Sequence, residues 1–469
     1  MATPTWPTPQ DLNDLQADVV LGIPKRAEDF IFFNIQDAAA FKKDLKELIP
    51  AITTTAQVKK IRTDITNHKQ QGKTDLIKVA AINIAFSVAG LKKLGITESL
   101  GDDAFNQGQL AHAQNLGDTG KTENGSFVPE WIDAFKNEID GVVLVAGDSK
   151  ISVDEGVNKV EHTFGKSIKE VFKVNGHVRP NKEKGHEHFG FKDGISFPAI
   201  DALTGHLPGQ IVVDPGVLVC GTNGDTVQNR PAWAKNGSFL VYRQLQQLVP
   251  EFNKFLTDNP VNVPGLPRDK GSELLGARLF GRWKSGAPIE LAPTADDPKL
   301  AEDKQRNNNF DFKDSFSDQT KCPFAAHIRK TNPRNDLIQP FGDGALKPHM
   351  IVRQSITYGP EVTPEEAHSN KTKVDRGLAF VCYQSNLANG FEFVQESWAN
   401  ATGFPPQKPV TPGFDPIIGQ KNGQARETAG LQIDNQSANT TLPIEFVVSK
   451  GGAYFFSPSI TALKTKLSA

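Results

Sequence analysis

The chain has 469 residues, with 52 basic side chains against 54 acidic ones and a formal net charge of −2. That balance, without a basic block, excludes a nucleic-acid footprint or an anionic-membrane surface. No apolar run approaches the ~20 residues of a membrane-spanning helix, and three cysteines (Cys220, Cys322, Cys382) build neither a disulfide framework nor a zinc site.

The segment MATPTWPTPQDLNDL lacks a charged region followed by an apolar core and is no signal peptide. Either the protein is intracellular or this is a mature form. Six N-x-S/T sequons, at Asn124, Asn236, Asn370, Asn400, Asn435 and Asn439, favour a secreted origin mildly. There are 30 Phe against 4 Tyr, 5 Trp and 2 Met. Easily oxidised side chains are scarce, through lineage bias or through selection in a protein that generates strong oxidants.

In chain order, DFIFFNI (29–35) predicts a strand, and AAAFKKDLKELI after it a helix with Phe41, Leu45, Leu48 and Ile49 at helical spacing. GVVLVAG (141–147) predicts a second strand, leading into a polar helical run over 152–172. The pattern then recurs. SFLVYRQL (238–245) precedes QQLVPEFNKFL, which carries Leu248, Phe252, Phe255 and Leu256 on one face, and GLAFVCYQS (377–385) precedes FEFVQESWAN. The repetition predicts an α+β fold of two ferredoxin-like domains, duplicated split βαβ units with antiparallel sheets, over 1–210 and 211–469. The join falls in the Gly/Pro cluster LTGHLPGQIVVDPG (203–216). The long Pro/Gly/Asn-rich stretch 285–345 is expected to cover a cofactor or serve function directly.

Four segments carry chemistry. In EHFGFKDGIS (187–196), Asp193 lies between glycines yet is flanked by Phe189, Phe191, Ile195 and Phe197. It is either a solvated turn residue or a carboxylate held among apolar groups for proton transfer. Just before it, His186, Glu187 and His188 tempt a metal reading, but the spacing does not put both imidazoles on one helix face, and a solvated lead-in is expected. His327 lies in CPFAAHIRKTNPR (322–334). There Ala325 and Ala326 let a flat ligand approach, and Arg329 and Arg334 offer guanidiniums for carboxylates. The choice is between a haem ligand with anchored propionates and a satisfied core histidine. Arg353, in MIVRQSITYG, either pairs with an anion or snorkels from an edge.

Together these segments resemble the fungal dye-decolorizing peroxidases. The likeness extends from DLNDLQADVVLGIPKRAEDFIFFNI and INIAFSVAGLKKLG to DRGLAFVCYQS and GGAYFFSPSI. The resemblance implies one haem b per chain, held mainly in the second domain, with His327 as axial ligand to the iron and Asp193 and Arg353 on the opposite face. It also implies Leu378 and Phe380 as apolar residues over that face, Arg334 as a propionate partner and Asp415 as acceptor of the His327 ring N–H. The implied activity uses hydrogen peroxide to form a ferryl/porphyrin-radical intermediate, which oxidises dyes, phenols and other bulky aromatics, including lignin-related ones, by one-electron steps. Asp193 would move the peroxide proton and give an acidic optimum. Tyr358 and Trp398 resemble surface electron-transfer sites. The resemblance further implies secretion, no nucleic-acid or membrane partner, and a monomer or homodimer. Thr357 stands where many relatives have proline, with a looser turn expected, and Ala453 stands where an acid is expected, with little effect on the haem. The rival readings are a non-catalytic haem carrier or sensor on the same scaffold, which would need His327 but not the Asp193–Arg353 pair, and a related haem enzyme acting on chlorite or a porphyrin side chain.

Overall fold

The computed structural model describes residues 6–469. In the first half the aromatic and β-branched runs form four strands: β1 (Ala27–Ile35), β2 (Ala80–Phe86), β3 (Gly141–Gly147) and β4 (Ile168–His177). The second half repeats the set with β5 (Ser238–Gln247), the interrupted pair β6 (Val352–Arg353) and β7 (Ile356–Tyr358), then β8 (Gly377–Gln384) and β9 (Val447–Ser457).

The first set is ordered β4-β1-β3-β2 and the second β9-β5-β8 followed by β6 and β7, so each half places its own strands in the same relative order. Every ladder among them is antiparallel. This is the duplicated ferredoxin-like arrangement. The halves also join at both edges. Phe86 of β2 pairs with Phe456 of β9, and Gly176 of β4 pairs with Tyr358 of β7, closing the ladder into a barrel. Closure leaves few unpaired backbone edges.

Successive side chains on a strand face opposite ways. One set, including Phe30, Phe32, Leu144, Tyr242, Val381 and Tyr383, packs into a single cluster within the barrel. On the other face of the first half, Ile31, Phe33 and Val145 pack against helices Ala38–Leu48 and Lys150–Phe164, through Phe41, Leu45, Val153 and Val160. The rings of Phe41 and Phe164 stack 4.9 Å apart there.

The helical run expected over 152–172 is only partly helical. The helix stops at Gly165, whose φ of +47° suits glycine, and residues 168–172 begin β4. FEFVQESWAN becomes a short helix, Phe391–Phe393, that continues as a π-helical turn, Val394–Ala399. Among the described residues no helix is long and apolar enough to cross a membrane, and the three cysteines are buried and unpaired.

The contact between β4 and β7 is tight. A Cβ on Gly176 would fall 2.3 Å from Ile356 Cγ2. Gly176→Ala should therefore destabilise the protein by about 1–3 kcal/mol through overpacking, seen as a lower Tm and earlier denaturant unfolding; an unchanged Tm would show that the two edges can part at no cost.

Candidate active site

The outward face of the second half opens on a cavity with about 1730 Å³ of atom-free space, its mouth included. Strand alternation delivers Arg243, Leu245 and Gln247 from β5, Arg353 from β6, and Leu378 and Phe380 from β8 to its wall. The segments 191–198 and 327–334 and helix Arg268–Phe280 supply much of the rest.

Asp193 reaches the cavity on a turn built by Glu187. The Glu187 carboxylate accepts the N–H groups of Phe189 (2.9 Å) and Phe191 (2.8 Å), and Gln247 Nε2 donates to it as well. Gly190 and Gly194 adopt φ of +92° and +75°, which explains the glycines on either side. Phe191 stacks on Phe280 at 3.8 Å and Phe189 packs on Phe252, so the flanking aromatics clamp the turn to the apolar core. Asp193 Oδ1 then accepts from Arg353 Nη1 at 2.8 Å and from Gly194 N–H at 2.6 Å. Burial by itself lifts the Asp193 carboxyl. The Arg353 charge and hydrogen bond, the Gly194 N–H and the His327 charge outweigh it, and the pKa lies below the ordinary value.

Arg353 sits where the edge strand is interrupted. Ser355 Oγ takes the N–H of Val381 there, and the Arg353 guanidinium lies over the Phe197 ring at 5.4 Å. The pairing with an anion anticipated for this arginine is with Asp193.

His327 opens a five-residue helix and lines the same cavity. Its Nδ1 lies 2.9 Å from Asp415 Oδ2, which leaves Nε2 uncommitted. Asp415 is fully buried, and its Oδ1 accepts from Ile417 and Ile418 N–H. Burial raises its pKa, but His327 and these backbone donors more than reverse that, so the carboxylate is held ionised.

Two arginines line the cavity without a carboxylate partner. Arg334 Nη1 donates to the carbonyls of Gly209, Asn308 and Phe310. These bonds hold a non-glycine residue at φ +49°, a strained conformation of the kind that gathers at functional sites. Arg282, which the sequence reading missed, donates to Gly286 O, Asn307 O and Asn308 Oδ1. Burial lowers Arg334 to about 10; burial and the Arg334 charge lower Arg282 to about 9. Buried cations bound only by neutral groups are costly unless an anion joins them. A flat ligand with two carboxylates and a metal for His327 fits these residues.

Several expectations need correction. Tyr358 and Trp398 are not surface residues, being only 6% and 2% exposed. Tyr358 lies on the barrel-interior face of β7 with its hydroxyl donated to Asp375, and Trp398 stacks on Phe404 at 5.2 Å. The His-Glu-His triplet is not a solvated lead-in. Glu187 and His188 are buried, and His188 Nε2 contacts Tyr358 O at 2.9 Å. Thr357 does not loosen its turn, since its hydroxyl donates to His177 O at 2.5 Å across the barrel closure. Arg329 serves the interior, paired with buried Asp336. His349, also missed, lines the cavity and stacks on Phe393 at 3.7 Å. The signal for Arg282 was an arginine in the apolar run LLGARLFGRW, the same signal that drew attention to Arg353.

Residues 14–180 match the family described as the DyP dimeric alpha+beta barrel domain, and residues 187–404 match the C-terminal part of the Dyp-type peroxidases. The chain is 46% identical over 475 residues to the dye-decolorizing peroxidase AauDyP1 of Auricularia auricula-judae, spanning 98% of this chain and 88% of that protein. The structure of an ancestral D-type dye-decolorizing peroxidase superposes with a TM-score of 0.93 at 57% identity, covering 98% of this chain and 100% of that one. A dye-decolorizing peroxidase in complex with 2,6-dimethoxyphenol gives a TM-score of 0.87 at 46% identity, over 98% and 99% of the two chains.

The Glu187 scaffold is open to test. Glu187→Ala leaves the Phe189 and Phe191 N–H groups without their acceptor, at about 1–3 kcal/mol for each buried donor left unpaired. Tm should fall and limited proteolysis should cut within 187–196; an unaltered cleavage pattern would show the turn to be held by its aromatics alone.

Proposed function

The chain belongs to the dye-decolorizing peroxidases, a haem-dependent family, and from that premise we propose that the cavity holds one haem b per chain, which His327 would ligate, with the Asp193–Arg353 pair lining the same cavity. The enzyme uses hydrogen peroxide to oxidise dyes and other aromatic compounds. One observation carries the site assignment: His327, Asp193, Arg353, Arg334, Leu378 and Phe380 line a single cavity.

When bound, the haem supplies the iron on which peroxide is cleaved and the oxidising equivalents that are then passed on one electron at a time. The chain's own residues handle the proton and the charge. Asp193 Oδ1 is engaged by Arg353 and Gly194, so Oδ2 would take a proton from one oxygen of hydrogen peroxide and return it to the other as the O–O bond breaks. Arg353 fixes the carboxylate in the productive orientation and offers positive charge to the departing oxygen in a half-buried site. Asp415 holds the His327 ring by Nδ1, directing Nε2 to the metal and making it a more basic ligand. Arg334 and Arg282 take the propionates, Arg282 being an addition to the set read from sequence. Leu378 and Phe380 keep the peroxide face apolar. A haem carrier would have no use for the Asp193–Arg353 pair.

Large dyes do not enter such a cavity. Trp398 meets the His349 ring edge-on at 5.3 Å, and His349 lines the cavity, so Trp398 acts as an internal relay rather than a surface site. Tyr358, on the barrel-interior face, has no comparable support. A division between His177 and Ser238, the interval that contains 210/211, is supported by the two strand sets. Secretion, with lignin-related phenols among the substrates, is supported by the exposed sequons at Asn124, Asn370, Asn435 and Asn439. Asn236 is a poor glycan acceptor, because its Nδ2 is donated to Asp11 and Asp14. No basic patch argues for nucleic acid, and monomer and homodimer are equally compatible with the chain.

Asp193→Asn should slow the reaction with peroxide by ~10²–10⁴-fold while haem absorbance stays unchanged. In the parent enzyme the carboxylate must be ionised to accept the proton. Since its pKa is depressed, the acid limb of the peroxide step should fall below the ordinary value of ~3.9, so the step stays competent in acid; a limb near neutrality would remove Asp193 from the role. Trp398→Phe should reduce turnover of bulky dyes and spare small phenols, and equal loss of both would exclude the relay.

A further inference from the structure

A cluster of ligating side chains lies behind the cavity wall and plays no part in the reaction above. Phe391, Val394 and Gln395 line the cavity, whereas Glu392 and Glu396, one helical turn apart on the same segment, meet His112. A ring nitrogen of His112 and one oxygen of each carboxylate lie within 4.8 Å of one another. His112 ends the short helix Gln109–His112 of the first half, so the cluster joins the two halves of the molecule.

The charges here are not balanced. Among the described residues, His112 is the only basic side chain that pairs with either glutamate, with Nδ1 at 2.9 Å from Glu392 Oε1. Its Nε2 is buried without a partner. Glu392 is buried, and the same Oε1 accepts the Tyr454 hydroxyl at 2.8 Å. Two carboxylates this close, with one imidazole as their only basic partner among the described residues, present an excess of negative donor atoms to a doubly charged cation.

We propose that His112, Glu392 and Glu396 form a binding site for a divalent metal cation of the Mn²⁺ or Zn²⁺ class. One imidazole with two carboxylates is a mixed nitrogen–oxygen donor set that suits these ions better than an all-oxygen cage suited to Ca²⁺. His112 and Glu396 are half-buried, so the cluster is within reach of solvent. Tyr454 orients the Glu392 carboxylate from behind by its hydrogen bond. The inference is independent of the haem assignment, since none of the three ligands lines the cavity.

The test uses the full-length, haem-loaded protein. Mn²⁺ is titrated with the free ion followed by electron paramagnetic resonance, and Zn²⁺ is titrated separately by calorimetry. At least one ion should bind saturably at one equivalent per chain. His112→Ala, Glu392→Gln and Glu396→Gln should each weaken that binding by ~10-fold or more, a ligand being worth at least as much as an outer-shell partner. Glu396 is half-exposed, so Glu396→Gln should keep the parent's Tm and peroxide-dependent dye turnover, separating loss of the ion from loss of the fold. No saturable binding of either ion to the parent protein, or equal binding to parent and variants, would overturn the proposal.

Discussion

Side chains on an antiparallel strand alternate between two faces, and in this molecule one face is the barrel interior while the other meets helices or the cavity. Val352, Ile356, Tyr358, Ala379, Val381 and Tyr383 belong to the barrel cluster. Their neighbours Arg353, Leu378 and Phe380 reach the cavity. A one-residue slip between β6 and β8 would exchange these sets, sending a guanidinium into the apolar interior and Tyr383 into the site. Barrel closure at Phe86–Phe456 and Gly176–Tyr358 protects that register, because the edges at which a slip would begin are paired.

The same constraint explains why duplicated halves have unequal roles. Both place their strands in the same order, but the first covers its outward face with two well-packed helices. In the second, helices Val249–Asp258 and Arg268–Phe280 pack with Phe189 and Phe191 to one side, leaving room above the sheet. That room gathers charge. Arg243, Arg282, Arg334 and Arg353 line it; Arg243 pairs with Asp118 and Arg353 with Asp193, and the other two have no carboxylate partner. The uncompensated Arg282 and Arg334 favour a bound anion, while Asp193 and Arg353 offset each other's charge.

Much of this was legible in the chain. Period-2 apolar runs identified the strands, and an acid, a histidine and an arginine in unusual apolar settings marked the site. The parity of Tyr358 was legible as well, since five residues from Arg353 on an extended strand is the opposite face. The surface role that the resemblance implies for Tyr358 runs against that parity. The run after Ser152 misled for a different reason: Lys169, Glu170 and Lys173 are polar and partly exposed on β4, so the strand shows little apolar alternation. Glu187 gave no local sign of its work, because its acceptor role depends on how the following turn folds back.

By itself the sequence determined the alternation of faces, the duplication and the residue types that meet at the candidate site, because these depend on residue type and near-neighbour spacing. Only the tertiary structure decided which arginines lack a carboxylate, that Trp398 is sealed behind Phe404, and that His112 meets Glu392 and Glu396. Those facts depend on burial and on contacts between residues hundreds of positions apart, where electrostatic cost is set by what else the fold brings within reach.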